Sequence, residues 1–221
     1  PNFNAIAEED MEVIMGSIVT ADGNIYGLPK YEPTTWNETP YRYWINQKWL
    51  DQMGLEMPGT IDELHEVLTA FVNNDPNGNG IKDEIGIYGY TKGGYGENIL
   101  NALMNSFVFY NGGAQNGGLA LDEDGKTVIA PFATDEWREG LTVLSQWFQE
   151  GLIEPSIFTD DAKQYKAILN SDTNIVGLAT VGSNSENWTD FDNNKNAMEM
   201  QMIPPFEGPK GICYTPYSVY S

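Results

Sequence analysis

The chain has 221 residues, 41% of them hydrophobic, and its 11 basic and 32 acidic residues give a formal net charge of −21. That length can bury one large domain or two small ones, and no apolar run approaches the ~18 residues of a membrane span. Nucleic acids and anionic membranes bind cationic surfaces, so the charge excludes both as partners and is compatible with calcium and with neutral ligands.

The first half of the chain contains two well-marked helices. A helical, acidic segment comes first, followed by a turn and short strand in DGNIYGLP and by the extended, aromatic YRYWI. NQKWLDQMG is predicted to be a short helix, with Asn46 as its N-cap and Gly54 after its end. In TIDELHEVLTAFVNN, Thr60 and Glu63 form a capping box, and apolar residues recur at helical spacing. His65 lies on that helix away from the apolar stripe, so we expect it at the surface.

The second half alternates strands and helices. IGIYGYT, NIVGLATVG and MEMQMIPP have the composition of strands, and LALDEDGKTVIA has that of a hairpin with an Asp-Gly turn. ENILNALMNSFVFYNGG, TDEWREGLTVLSQWFQEG and DDAKQYKAILNS have helical patterns, and Thr134 caps the second of these while Gly151 ends it. This alternation predicts an α/β layer fold with a mixed, largely parallel sheet.

A twelve-residue loop, DPNGNGIKDEIG (75–86), joins the clearest helix to the strand after it. Oxygen ligands stand at alternate positions, and Gly80 occupies position 6, where an EF-hand-like loop turns sharply. Hard oxygen ligands favour calcium over zinc or copper. Position 12, where an EF-hand has a bidentate glutamate, is Gly86, and the nearest acid is Glu84 at position 10. We therefore predict a fixed ion rather than a switch, with a metal-free turn rich in Asn and Asp as the alternative. The ligands counted from position 1 are Asp75, Asn77, Asn79, the Ile81 carbonyl and Asp83.

The aromatic residues divide between predicted helices and loop-like segments. Trp49 and Trp147 lie on helices among apolar neighbours and are predicted to be core. Trp36, Tyr95 and Trp188 lie in PTTWNETP, KGGYGEN and SNSENWTDF, beside Asn, Ser, Thr and Gly. A flat apolar ring next to hydrogen-bonding groups suits the apolar face and hydroxyl rim of a sugar. The alternative is that each ring folds back onto the core.

Motifs of common enzymes are absent from the sequence. DEDGKT is not a phosphate-binding Walker A loop, because Ala120 stands where a glycine is required. G-x-S-x-G, H-E-x-x-H and G-x-G-x-x-G do not occur, and His65 is the single histidine. The single cysteine, Cys213, excludes an internal disulfide, and we expect a buried thiol. Two carboxylates could still perform acid–base catalysis, although the sequence singles out no pair.

Five segments together carry a family resemblance: DGNIYGLP, YWINQKWLDQMGLEMPGTIDELHEVLTAF, DPNGNGIKDEIG, EGLIEPSIFTDD and IPPFEGP. In this order and spacing they resemble the family 1 extracellular solute-binding proteins of bacterial carbohydrate ABC transporters. The most similar branch is the large lipoprotein branch of Gram-positive bacteria, which includes the alginate-binding proteins. The resemblance covers nearly the whole chain. It implies a periplasmic-binding-protein-like (type II) α/β lobe, with a mixed, mostly parallel sheet flanked by helices.

The resemblance also implies how the chain is organised. Members of the family have two lobes joined by crossing strands, hold the sugar between them, and are about twice as long as this chain. The chain would then be mostly the second lobe of a longer protein. Residues 1–24 would enter from the first lobe, residues 25–206 would form the second lobe, and residues 207–221 would return toward the first.

The resemblance extends to individual residues. The alginate-binding relatives carry a structural calcium ion in the matching loop, which implies that Glu84 here replaces the missing acid of position 12. By similarity to maltose-binding relatives, Trp188 and Tyr95 align with aromatic residues that stack on sugar, and Trp36 and Tyr41 are further ligand-binding candidates. The implied Ca²⁺ ligands are Asp75, Asn77, Asn79, Ile81 through its carbonyl, Asp83 and Glu84.

The function implied is that of a receptor without enzymatic activity. We expect the intact protein to be a monomer that closes its lobes on an oligosaccharide and delivers it to the membrane permease subunits. It would be an extracellular lipoprotein on the outer face of the cytoplasmic membrane, or periplasmic. Changing Trp188 to alanine should then weaken sugar binding by about tenfold or more and leave the melting temperature nearly unchanged.

Two other functions stay open. One is a carbohydrate-active hydrolase or lyase with a dockerin-like calcium loop, although dockerin loops come in duplicate and this loop occurs once. The other is a calcium-dependent adhesion module, which predicts a flat surface without a cleft.

Overall fold

The computed structural model describes residues 6, 8–28, 41–92, 98–110, 118–122, 124, 126–182 and 187–216. The chain divides into two compact units, one formed by residues 1–38 with 218–221 and the other by residues 39–217. The segments predicted from the resemblance, 1–24, 25–206 and 207–221, stay predictions. In the described ranges, no helix combines the length and the apolar character that a membrane crossing needs.

The first unit contains one helix, α1 (Glu8–Ile18), in its described part. An antiparallel bridge between Val19 and Ile25 follows, closed by a turn in which Gly23 has a φ of 79°. A positive φ favours glycine, which explains the Asp-Gly pair of the predicted turn.

The second unit is built on a four-stranded sheet. Its strand order is β2-β5-β1-β6, with β2 parallel to β5 and with β1 antiparallel to both β5 and β6. The segment around Ile153 extends the sheet beyond β2 as a further parallel neighbour, through an isolated bridge to Ile87. The strands are β1 (Tyr43–Asn46), β2 (Ile85–Tyr88), β5 (Val176–Thr180) and β6 (Met200–Ile203), and a separate hairpin contains β3 (Ala120–Leu121) and β4 (Val128–Ile129).

The sheet is mixed, as predicted, but it is not mostly parallel. Of its three strand pairings in the described residues, one is parallel and two are antiparallel. The chain enters the sheet at Tyr43 and leaves it at Ile203, and these two residues are register partners at one edge. Because entry and exit lie at the same edge, β1 runs against its neighbours.

Local sequence signals set the helix boundaries. The Asn46 side chain accepts a hydrogen bond from the Trp49 N–H, and Gly54 ends that helix in the left-handed conformation at a φ of 63°. Thr60 and Glu63 form the predicted capping box. The helices of this unit are α2 (Gln47–Met53), α3 (Ile61–Asn73), α4 (Ile99–Met104), α5 (Asp135–Gln149), α6 (Ala162–Leu169) and α7 (Lys195–Met198).

Two hydrophobic cores lie on opposite faces of the sheet. Successive strand residues point to opposite faces, so Ile45 belongs to one core and Trp44 to the other. The larger core, which includes Trp49 and Trp147 as predicted, lies under α2, α3, α4 and α5. The smaller core lies under α6 and α7. This three-layer arrangement explains why the strands have few polar residues.

The single cysteine and the single histidine both lie near the surface. Cys213 is exposed, so the prediction of a buried thiol is wrong. The preceding turn is closed by hydrogen bonds from the Gly211 N–H to the Gly208 carbonyl and from the Gly208 N–H to the Ile212 carbonyl, and Cys213 leaves this turn at the surface. His65 is partly exposed, as expected, and its ring stacks on Trp147 at 5.7 Å between centroids.

Candidate functional site

One edge of the sheet gathers several chain segments. Tyr43 at the start of β1 is the register partner of Thr180 at the end of β5 and of Ile203 at the end of β6, and β2 ends beside them at Tyr88. The segments after three strands and the segment before a fourth therefore leave from the same edge. In open α/β sheets, ligands bind in the crevice outside the carboxyl ends of the strands. We call this edge the carboxyl edge and take it as the candidate ligand site.

Three of the predicted sugar-contacting residues are Trp36, Tyr41 and Tyr95, and the structure describes one of them. Tyr41, just before β1, is 8% exposed and packs into the larger core. Trp36 and Tyr95 lie outside the described residues, so their predicted roles stay predictions. Tyr41 is therefore the one member of this group that the structure locates, and it is buried.

Trp188 follows β5 by eight residues and is only 1% exposed. The prediction of an exposed loop aromatic is wrong at this position. Its ring packs edge-to-face on Trp44 with centroids 5.3 Å apart and lies 6.0 Å from Phe191. Asn170 holds the turn in place, since its side chain donates to the Asn187 carbonyl and accepts from the Thr189 N–H, each at 2.8 Å. Contact between Trp188 and a sugar stays a prediction.

A hydroxyl–carboxylate cluster at the carboxyl edge was missed by sequence reasoning. The Tyr88 hydroxyl donates to Asp160 Oδ2 at 2.7 Å, and the Ser156 hydroxyl donates to the same oxygen at 2.8 Å. Burial, followed by the hydrogen bond to Asp160, raises the pKa of Tyr88 well above its usual value. The Tyr165 ring stacks on Tyr88 at 5.4 Å, and its hydroxyl donates to the Thr180 carbonyl at 2.6 Å. The cluster links residues 72 positions apart, which no local pattern reveals.

An apolar groove elsewhere on this unit does not suit a sugar. It has a volume of about 320 Å³ and lies between α4 and α5. Its walls are mainly Leu, Met, Phe and Trp side chains, including Leu141 and Phe158, which are about half exposed. Sugar hydroxyls buried there would lack hydrogen-bond partners. The carboxyl edge is therefore the better candidate for a sugar site.

The acidic loop 75–86 lies at the opposite end of β2 from the carboxyl edge, because it leads into the first residue of that strand. Gly78 and Gly80 have positive φ values of 71° and 75°, which fold the loop back on itself. The Asp75 carboxylate accepts hydrogen bonds from the Asn79 N–H at 3.1 Å and from the Gly80 N–H at 2.9 Å. The predicted ligand residues are thus held close together by the backbone.

Two acidic side chains of this loop, Asp83 and Glu84, are partly buried. Asp83 accepts hydrogen bonds from the side-chain amides of Asn77 at 3.0 Å and Asn79 at 3.2 Å. Both carboxylate oxygens of Glu84 are buried, and among the described residues no side chain donates a hydrogen bond to either, while the main-chain N–H groups of Glu84 and Asp83 favour its charged form. Burial, and then the charges of Asp83 and Asp75, raise the pKa of Glu84 above its usual value. A buried carboxylate without a partner is unfavourable, and a cation beside it would remove that cost.

These residues fit a calcium ion by their chemistry. Across the described part of the chain, no group of three or more His, Cys, Asp or Glu side chains is arranged to hold a metal. The predicted set, however, also draws on the amide oxygens of Asn77 and Asn79 and the Ile81 carbonyl. The amide oxygens of Asn77 and Asn79 accept the main-chain N–H groups of Asn79 and Ile81 at 2.9 and 2.7 Å, and each of these oxygens keeps a second lone pair for a cation. The donors would then all be hard oxygens, which is the set that calcium takes.

Comparison with known proteins identifies the chain's relatives. No protein-family model matches it. It is 34% identical to the fructooligosaccharide ABC transporter substrate-binding protein FusA of Streptococcus pneumoniae. The aligned segment of 173 residues covers 76% of this chain and 31% of FusA. A solved structure of S. pneumoniae FusA in complex with kestose has a TM-score of 0.75 at 28% identity, over 99% of this chain and 42% of that one. The chain's relatives are thus substrate-binding proteins of ABC transporters, which agrees with the resemblance seen in the sequence.

Two further relatives are similar over nearly the whole chain. Lipoprotein LipO of Bacillus subtilis is 27% identical over 226 residues, which is all of this chain and 42% of LipO. An extracellular solute-binding protein of Bifidobacterium longum subsp. infantis has a TM-score of 0.79 at 26% identity, over 98% of this chain and 44% of that one. The chain spans between 31% and 42% of the length of the curated relatives FusA and LipO. The type II α/β lobe predicted from the sequence is confirmed.

Proposed function

We propose that this chain is one lobe of the substrate-binding receptor of an ABC transporter, and that the receptor binds an oligosaccharide without altering it. The observation that carries the proposal is the similarity to FusA, whose solved structures contain kestose and fructo-nystose. Both of these FusA ligands are neutral oligosaccharides, which a chain of net charge −21 does not repel. The chain covers less than half of each relative, so the remainder of the cleft would come from a second lobe.

The oligosaccharide would lie against the carboxyl edge. The chain enters β1 and leaves β6 there, so the connections to a second lobe start beside the ligand. Closure of two lobes on a sugar shifts a population only as far as the sugar prefers the closed state. Trp36, Tyr41, Tyr95 and Trp188 remain proposed ligand contacts. For Trp188 this requires that the turn around it move, since other aromatic rings cover it.

We further propose a structural Ca²⁺ in loop 75–86. Support comes from the buried Glu84 carboxylate, which lies near the like charges of Asp83 and Asp75. A structure of FusA described as an EF-hand mutant, in complex with fructo-nystose, adds to it. The ion would neutralise Asp75, Asp83 and Glu84 and fix the entry into β2. It would have no part in sugar binding, because β2 separates the loop from the carboxyl edge.

Delivery to a permease and location outside the cytoplasmic membrane follow from the same proposal. The named relatives are a transporter's substrate-binding protein and a lipoprotein. We propose that the full-length protein is likewise a monomeric extracellular lipoprotein that presents its sugar to permease subunits. These statements concern the whole protein and not this lobe alone.

A glycan panel tests the receptor function. The full-length protein, in calcium, is mixed with fructo-, malto- and pectic oligosaccharides, and its melting temperature is measured. A receptor gives a higher melting temperature with one class of oligosaccharide, and chromatography recovers that sugar intact. Shortened sugar products would favour the hydrolase or lyase alternative. No shift with any glycan would favour the adhesion module.

A further inference from the structure

Asp160 lies at the carboxyl edge although it follows no strand of the four-stranded sheet. The segment around Ile153 runs parallel to β2, since the Ile87 N–H donates to the Leu152 carbonyl at 2.8 Å and the Glu154 N–H donates to the Ile87 carbonyl at 3.1 Å. This segment ends at the same edge as β2, and the 3-10 helix Pro155–Phe158 leads from it to Asp160.

A main-chain hydrogen bond ties this connection to the segment after β2. The Thr91 N–H donates to the Ile157 carbonyl at 3.0 Å. The Tyr88 and Tyr90 rings both contact Tyr165, whose hydroxyl bonds the carbonyl of the last residue of β5. Asp160 is therefore fixed beside the carboxyl ends of both parallel strands, and ligands of open α/β sheets bind at such ends.

The carboxylate of Asp160 is held through one of its two oxygens. Both donors, the hydroxyls of Tyr88 and Ser156, bond to Oδ2, and both are neutral. Among the described residues, no side chain or main-chain group donates to Oδ1, and no Lys, Arg or His pairs with the carboxylate. The side chain is partly exposed, so Oδ1 can reach a ligand while Oδ2 holds the group in position.

We propose that Asp160 Oδ1 accepts a hydrogen bond from a hydroxyl of the bound oligosaccharide, and that Tyr88 and Ser156 are the positioning residues for this contact. The inference rests on the proposed function and adds a residue to the site. Hydrogen bonds from hydroxyls to carboxylates are short and stronger than those between neutral groups. A group already fixed by two hydrogen bonds loses little side-chain freedom when the ligand binds.

The test is a calorimetric titration of the full-length protein with kestose, in calcium. Asp160→Asn keeps the size of the side chain but removes its charge, and we expect the dissociation constant to rise roughly 10- to 100-fold. Asp62→Asn is the matched control, because Asp62 is an exposed carboxylate in the first turn of α3; its dissociation constant should not change. Tyr88→Phe should weaken binding less than Asp160→Asn does.

A second readout separates a ligand contact from a structural role. Kestose analogues that each lack one hydroxyl are titrated into the wild type and into Asp160→Asn. At least one analogue should bind the wild type more weakly than kestose does, and that difference should disappear in the variant. If Asp160→Asn does not fold, the same comparison is made with Tyr88→Phe, where the difference should shrink.

The results distinguish failure of the Asp160 contact from failure of the receptor function. Equal affinity of wild type and Asp160→Asn for kestose overturns this inference and leaves the receptor function intact. The same holds if the variant discriminates among the analogues as the wild type does. A wild-type protein that binds no sugar overturns both.

Discussion

A Cβ atom added to Gly86 would lie 2.5 Å from the main-chain carbonyl oxygen of Leu152. Gly86 is position 12 of the loop 75–86, where an EF-hand has its bidentate glutamate. Here that position lies inside β2, against the parallel segment around Ile153. No side chain fits there, so the further acid of the loop stands two positions earlier, at Glu84. The departure from the EF-hand pattern is thus imposed by the sheet.

Gly86→Ala should therefore destabilise the unit that contains the sheet. The new methyl group would push apart two hydrogen-bonded segments, and overpacking of this kind costs about 1–3 kcal/mol. Chemical denaturation measures the loss. Gly59→Ala is the control, because its Cβ would meet Glu63 at an ordinary 3.6 Å, and its free energy of unfolding should stay within about 0.5 kcal/mol of wild type. Equal stabilities of the two variants would contradict the packing argument.

Glu84→Gln should change stability in opposite directions with and without calcium. In a chelator, the variant removes a buried carboxylate that lies beside the like charges of Asp83 and Asp75 and has no cationic side chain as a partner among the described residues, so its melting temperature should rise above that of wild type. In calcium at 100 times the dissociation constant, wild type should gain about 2.7 kcal/mol, and the variant should gain much less. Differential scanning calorimetry measures both. A melting temperature of wild type that ignores both calcium and chelator would refute the metal site.

Acid should weaken the contact between α3 and α5. The His65 hydrogen bond, at 2.5 Å, and then the Gln146 hydrogen bond hold the pKa of Glu150 below its usual value of 4.5. A lowered folded-state pKa contributes stability at pH values above the unfolded pKa, and that contribution is lost as the pH falls through the folded pKa. Wild type should therefore lose stability below about pH 4.5 more steeply than Glu150→Gln does.

Acid titrations followed by circular dichroism measure this slope. Glu66→Gln is the matched control, because Glu66 is exposed on the same helix as His65 and next to it in sequence. That variant should keep the wild-type slope. If Glu150→Gln also keeps it, the pair of His65 and Glu150 does not contribute to stability.

Trp188→Ala should unfold the smaller core. The indole is 1% exposed between Trp44 and Phe191, and removing such a ring costs about 3–5 kcal/mol. This replaces the sequence-based expectation of an unchanged melting temperature. Phe158→Ala is the control, because that ring is 50% exposed, and it should cost much less. A Trp188→Ala variant with the wild-type melting temperature would contradict this burial and support the prediction that Trp188 is exposed and stacks on a sugar.

Features that depend on neighbours along the chain could be predicted from the sequence. The caps at Asn46, Thr60 and Thr134 formed as expected, because each pairs groups within about four residues. The hairpin of β3 and β4 formed for the same reason. The family resemblance supplied the type II lobe, which local patterns alone do not distinguish from other α/β layers.

Features that depend on contacts between distant parts of the chain could not be predicted from the sequence. The direction of β1 follows from where the chain enters and leaves the sheet. Trp188 is flanked by Asn and Thr, which is typical of a loop, but Trp44, 144 positions earlier, supplies its apolar partner. No residue near Asp160 in the sequence marks it as part of a site, and only its hydrogen bond from Tyr88 in the folded chain does so. In each case the deciding contact joins residues that no local pattern connects.

The most direct test of the receptor function is a calorimetric titration of the full-length protein, in calcium, with the oligosaccharide that raises its melting temperature most. A receptor of this kind should show saturable binding of one sugar per protein, with the sugar recovered unchanged afterwards. Heat that continues without saturation as shorter sugars accumulate would contradict it, and so would the absence of binding heat for every oligosaccharide tested.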